Sequence, residues 1–225
     1  VTGKAVEKAC SQLKENICAI AADLLDCKPD ELEFAGRAVR RIDGTGEVSL
    51  FDITTRSMCG NITAVEATAS HSSPISPPPF MVGMVEIELD KETGQVDVLD
   101  YAAVVDCGTP VNPNLARVQT EGGIVQGIGM ALFEDVTYEP TGRIMENSFM
   151  QYKIPTRLDM GKLRVEFESS YEQTGPFGAK SIGEIVINTP SPAIAHAIAH
   201  ATGVWHRELP ITPEKVLRGI QKGQE

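Results

Sequence analysis

Met84-Val85-Glu86-Ile87-Glu88-Leu89, followed by Asp90-Lys91-Glu92-Thr93-Gly94 and then the run Val96 to Val105, sets the fold. The first run alternates apolar and non-apolar residues, the period of two that puts one strand face into a core. Asp90 to Gly94 interrupts it with turn residues and a glycine, and Val96 to Val105 resumes strand character, so the stretch predicts a β-hairpin with a polar turn of about four residues. Asn112-Pro113-Asn114 then caps a helix expected over about 114–133. Strands and helices follow one another without the regular alternation of a parallel sheet, and the fold class expected is α+β.

That helix is unusual, because it carries Gly122, Gly123, Gly127 and Gly129 in its interior. Each costs about 1 kcal/mol relative to Ala, so another backbone or a ligand is expected close by. Gln119, Glu121 and Gln126 are polar groups in the same small, apolar segment, and buried amides need partners. A donor-rich cofactor would supply them; tight helix packing with the amides at the rim explains the same residues.

Upstream, Val6, Cys10, Leu13, Ile17, Ala21 and Leu24 recur at steps of three and four and define one helical face. Thr2 is the expected N-cap, and Pro29 stops the helix near Asp26 to Lys28. Short β runs are expected at 32–34, 38–42 and 48–50, with turns at Gly36 and at Asp43 to Gly46. Residues 69–79, Ala-Ser-His-Ser-Ser-Pro-Ile-Ser-Pro-Pro-Pro, form a stiff extended connector, either a boundary between parts of the chain or a loop within one domain. Downstream, a second hairpin is expected over 134–149, a strand at 163–167, a helix from Thr189-Pro190 to Gly203, and a last helix opening at Thr212-Pro213-Glu214.

The 225 residues carry 20 Lys and Arg against 31 Asp and Glu, a net charge of −11. That balance argues against a general binder of nucleic acid or anionic membrane, which needs a basic face. No apolar run reaches the roughly 18 residues of a membrane span. The five cysteines, at 10, 18, 27, 59 and 107, form no C-x-x-C pair. They read as reduced thiols of a cytoplasmic protein, Cys10 and Cys18 packing as small hydrophobes, with no protein-ligated metal expected. Val1-Thr2-Gly3-Lys4 is neither a leader nor a start methionine, which suggests a piece of something longer.

The densest chemistry lies in Gly175-Pro176-Phe177-Gly178-Ala179-Lys180-Ser181-Ile182-Gly183-Glu184. Three glycines and a proline make an irregular loop whose N–H groups can face a ligand; Lys180 offers a cation for an anion and Glu184 a proton acceptor. A solvated surface loop has the same composition. His196 and His200 share a helix face but lack the His-Glu-x-x-His pattern, and Cys107 has no base nearby in sequence.

Together these segments resemble a known family. Val85 to Gly94, Asp106-Cys107-Gly108 through Asn112-Pro113, Gln119 to Gly129, Tyr152-Lys153-Ile154-Pro155 and Gly178-Ala179-Lys180-Ser181-Ile182-Gly183-Glu184 are similar, in order and approximate spacing, to the C-terminal part of the molybdopterin-binding large subunit of the xanthine dehydrogenase and aldehyde oxidase family of molybdenum hydroxylases. The ending Leu209-Pro210-Ile211-Thr212-Pro213-Glu214 looks most like the bacterial xanthine dehydrogenase type. The resemblance implies that residues 1–225 are one molybdopterin-binding part. It implies an oxidoreductase that hydroxylates an N-heterocycle or aldehyde with oxygen from water, hydride passing to a sulfido ligand of molybdenum. Glu184 matches the catalytic base, Gln119 a contact to the pterin, and Lys180 and Gly183 loop positions beside it; no side chain matches a metal ligand. The implied cofactor is molybdenum-molybdopterin, with or without an attached nucleotide, shared with the rest of the subunit. Fe–S and FAD are implied on partner subunits. The family's Gly-Gly-Ser-Phe-Gly-type loop and substrate-orienting arginine do not appear here. Alternatives are a non-catalytic domain or assembly scaffold of the same fold, and a stand-alone pterin- or nucleotide-binding module.

Overall fold

A computed structural model of the chain describes residues 1–60 and 65–223. These form two compact units, Val1–Ser76 and Pro77–Glu225. Among the described residues no helix is long and apolar enough to cross a membrane.

The first unit packs helix α1 (Thr2–Leu25) against a small antiparallel sheet of β1 (Leu32–Phe34), β2 (Ala38–Arg41) and β3 (Glu47–Ser49), followed by helix α2 (Leu50–Cys59). Its core gathers Ile17, Ile20, Ala21, Leu32, Val39 and Ile53. The expected helical face is buried only in its middle: Leu13 packs against the core and Ile17 and Ala21 belong to it, whereas Val6, Cys10 and Leu24 are exposed. Cys10 is thus no packing residue here. Thr2 is the first helical residue rather than the cap, since Val1 holds the cap position without a side-chain bond. Helix α2 was not anticipated. Ile53, Thr54 and Thr55 give it β-like composition, yet Ser49 caps it by accepting from the Asp52 N–H at 3.1 Å, and the run expected as strand at 48–50 ends at Ser49.

The second unit is built on the sheet β4-β5-β6: β4 (Phe80–Leu89) and β5 (Val96–Asp106) pair antiparallel, and β6 (Met160–Phe167) runs parallel to β5. The expected hairpin turn is tied by Asp90, whose carboxylate accepts from the Glu92 N–H and the Thr93 hydroxyl, each at 2.8 Å. Gly94 closes the turn at φ +78°, a left-handed conformation suited to glycine. Helices α3 (Pro113–Leu132), α5 (Pro190–Thr202) and α6 (Pro213–Lys222) supply the core residues Ile124, Ile128, Ile194, Ile198 and Val216, which pack with Tyr101, Val98 and Met160 of the sheet. Other strand residues, Phe80, Val82, Met84 and Val104, are exposed. The expected hairpin over 134–149 does not form: one isolated bridge, Tyr138 to Ile144, takes its place. Tyr138, Met145 and Phe149 are exposed and have no face to bury, so the ladder has nothing to propagate against. A short helix α4 (Ile185–Asn188) precedes α5 and begins immediately after Glu184.

Candidate functional site

β5 ends at Asp106, and the chain behind it carries the Gly175–Glu184 loop. The two are stitched at Gly108 and Ala179. The Lys180 N–H donates to Cys107 O at 2.7 Å and the Thr109 N–H to Gly178 O at 2.8 Å. A Cβ on Gly108 would stand 2.9 Å from the Lys180 nitrogen, and its φ is +68°, so this close seam requires glycine. The loop itself holds a single 3-10 turn, Pro176–Gly178, in which Phe177 is left-handed at φ 51°.

Lys180 is placed differently from the expectation that its ammonium would hold a ligand anion. Its Nζ lies 2.6 Å from Asp106 Oδ2 and 5.6 Å from the Phe80 ring centre. The anion it holds is the protein's own. The Lys180 ammonium, the Ser170 hydroxyl and the Gly108 N–H hold the Asp106 carboxyl down at about 2. Asp106 carries no functional signal in the sequence, and neither does the neighbouring Cys107, which is buried and whose thiol is pushed up by that burial.

On α3, Asn112 accepts from the Leu115 N–H at 3.1 Å and starts the helix as its sequence predicts. The four glycines divide by role. A Cβ on Gly123 would stand 2.9 Å from Val186 Cβ, and one on Gly127 2.8 Å from Pro190 Cγ. One on Gly129 would meet Glu134 and Pro155. These three let other chain segments come close. Gly122 faces open space. Glu121 is taken by an ion pair with Arg117 at 3.1 Å, one helical turn away.

The Gln119 amide Nε2 donates to Gly183 O at 3.2 Å, joining positions 64 apart in sequence. Beside this bond lies a hollow of about 560 Å³ lined by Val118, Gln119, Gly122, Gln126, Gly183 and Glu184, among others. A second hollow of about 440 Å³ shares Gln119 and Gly183 and adds Cys107, Leu115, Lys180 and Ile182. The structure therefore brings Gln119, Gly183 and Glu184 to one hollow and leaves Lys180 lining the next with its charge already paired. Glu184 is exposed, and its carboxylate has no hydrogen-bond partner among the described residues. The hollow is lined by α3, the end of the loop and Val186 and Ile187 of α4, and Glu184 stands exposed at its edge. His196 and His200 are both exposed, and His196 meets the Trp205 ring edge-on at 4.9 Å.

Residues 1–161 match the family described as molybdopterin cofactor-binding domain. Over 98% of its length the chain is 34% identical to a protein of Escherichia coli K12 named probable hypoxanthine oxidase XdhD, of which it covers 23%. Over its whole length it is 33% identical to the gamma subunit of the 6-hydroxypseudooxynicotine dehydrogenase complex of Paenarthrobacter nicotinovorans, covering 30% of that subunit. Among solved structures, quinoline 2-oxidoreductase from Pseudomonas putida 86 superposes with a TM-score of 0.77 at 26% identity, over 94% of this chain and 28% of that one. The chain thus spans 23–30% of the length of these curated relatives. The Gly175–Glu184 loop lies beyond the family match but within the span aligned to the relatives.

Proposed function

The chain belongs to the molybdopterin cofactor-binding domain family, and from that premise we propose that it forms one wall of the active site of a molybdenum hydroxylase, as the C-terminal part of the large subunit. The observation that carries the reading is the Gln119–Gly183 hydrogen bond, which makes two segments far apart in sequence a single surface with Glu184 at its edge. The residues present fit a planar, donor-rich cofactor. A Cβ on Gly122 or on Gly183 would enter open space, so a ligand can reach backbone there. Gln119 and Gln126 present amides to the same hollow, and such groups suit a pterin's alternating donors and acceptors.

Gln119 and Gln126 would hold the pterin from the α3 side, with Gly183 facing it from the loop and Lys180 beside it on the adjoining hollow. The bound molybdenum cofactor supplies the transferred oxygen and the hydride acceptor. Glu184 accepts a proton at its carboxylate, free of internal partners and next to the pterin-binding wall. Enclosure by the remainder of the subunit would exclude water from around that carboxylate. The substrate class proposed is an N-heterocycle of the xanthine type or an aldehyde, oxidised in the cytoplasm, with Fe–S and flavin subunits carrying the electrons away. The test is co-purification of this chain with the products of neighbouring genes, followed by molybdenum and pterin analysis and a xanthine hydroxylation assay. Stoichiometric molybdenum with hydroxylation is expected; an assembled complex that contains this chain but neither molybdenum nor pterin refutes the reading.

A further inference from the structure

We propose that Asp106 and Lys180 form a latch that sets the position of Glu184, acting as positioning residues for the reaction; the proposal rests on reading Glu184 as the base. Both carboxylate oxygens of Asp106 are engaged: Oδ2 accepts from Lys180 Nζ at 2.6 Å, and Oδ1 accepts from Ser170 Oγ at 2.6 Å and the Gly108 N–H at 3.0 Å. The Lys180 side chain is only 9% exposed and that of Asp106 22%. A pair withdrawn this far from water fixes geometry, because opening it would leave a partly buried charge unpaired.

Up to Lys180 the loop is also tied by its backbone seam to the end of β5; beyond it the side chains face outward. Phe177, Ser181, Gly183 and Glu184 are exposed, and Gly178 is the buried residue of the 3-10 turn. The backbone seam to β5 ends at the Lys180 N–H; beyond it Gln119 holds Gly183 O at 3.2 Å, and Glu184 leads into α4, its carbonyl accepting from the Ile187 N–H at 3.2 Å. The latch therefore fixes the last point of the loop tied to the sheet, four residues before the carboxylate. Protonation does not release it near neutral pH, because the Asp106 carboxyl sits at about 2.

The test uses the assembled holoenzyme with Lys180→Met, Asp106→Asn, the double variant, Lys180→Arg, and Glu184→Gln as a control. Each single latch variant is expected to lower kcat by roughly 10²-fold, the scale of a misplaced reacting group, with KM little changed. The double variant should match a single one rather than multiply the two losses, and Lys180→Arg should recover most of the rate. Hydrogen exchange of residues 181–184 in the assembled enzyme should quicken in Lys180→Met and stay unchanged in α3. If Lys180→Met does not assemble, Asp106→Glu, which keeps both charges but lengthens the arm, is expected to show the same fall in kcat. Glu184→Gln inactive with Lys180→Met at the normal rate overturns the latch. Unchanged exchange at 181–184 overturns it whatever Glu184 does. Glu184→Gln at full rate overturns the base assignment instead.

Discussion

Substituting Ala for Gly122 and for Gly123, neighbours on α3, should move stability in opposite directions. At Gly122 the new methyl enters open space, so the change removes the helix penalty of glycine and stabilises by about 1 kcal/mol. At Gly123 the methyl would stand 2.9 Å from Val186 Cβ and 3.3 Å from its carbonyl carbon. Val186 is 1% exposed, and its branched side chain has no free rotamer to yield into. Overpacking of this kind costs about 1–3 kcal/mol, against a propensity gain of about 1 kcal/mol. The two variants should therefore differ by about 1–3 kcal/mol, or about 3–9 °C in Tm for a unit of this size. Trp205, the one tryptophan of the chain, lies in the second unit, so its fluorescence through thermal or urea unfolding follows the relevant transition. In the assembled enzyme the more stable Gly122→Ala variant should nonetheless carry less pterin, because its methyl fills the hollow. Equal shifts for both variants, or Gly123→Ala the more stable, would refute the division of the glycines between packing and ligand.

Three further outcomes follow from the second unit. Asp106, depressed from 3.8 to about 2, contributes about 1–2 kcal/mol above pH ~4 that is lost as pH falls through about 2; a urea-unfolding series across that range should show the loss, and Asp106→Asn should flatten it. Ile128→Ala, at a fully buried position, should destabilise by about 2–5 kcal/mol in the same assay. Tyr101→Phe removes the 2.9 Å hydrogen bond to the Thr189 hydroxyl and should cost about 1 kcal/mol.

The hairpin at Asp90 to Gly94, the capped helix at Asn112 and the Thr189-Pro190 to Gly203 helix were legible because each rests on local signals: turn carboxylates, an Asn cap, a proline start and a glycine stop. Helix α2 was not, because its β-branched residues outweighed the Ser49 cap and its Asp52 partner three positions on. The failed 134–149 hairpin had a good turn but no surface to pack on, which no local pattern reports. At the site, the polar and glycine content of the two segments fitted a ligand as well as plain packing and a solvated loop, and the family resemblance supplied Glu184 and Gln119. The sorting of α3 glycines into packing and open positions depends on where Val186 and Pro190 lie, a tertiary fact. So does the pairing of Lys180: Asp106 is 74 residues away, and only the parallel pairing of β6 with β5, followed by the seam at Gly108, brings the two together.

The most direct measurement of the central claim is turnover set against molybdopterin content in the assembled enzyme carrying Glu184→Gln. The amide keeps the shape of the side chain but cannot take a proton. Turnover should fall by at least ~10²-fold, the lower range for loss of a general base, with molybdenum and pterin content unchanged. Turnover close to that of the unsubstituted enzyme, or cofactor lost in step with activity, would contradict it.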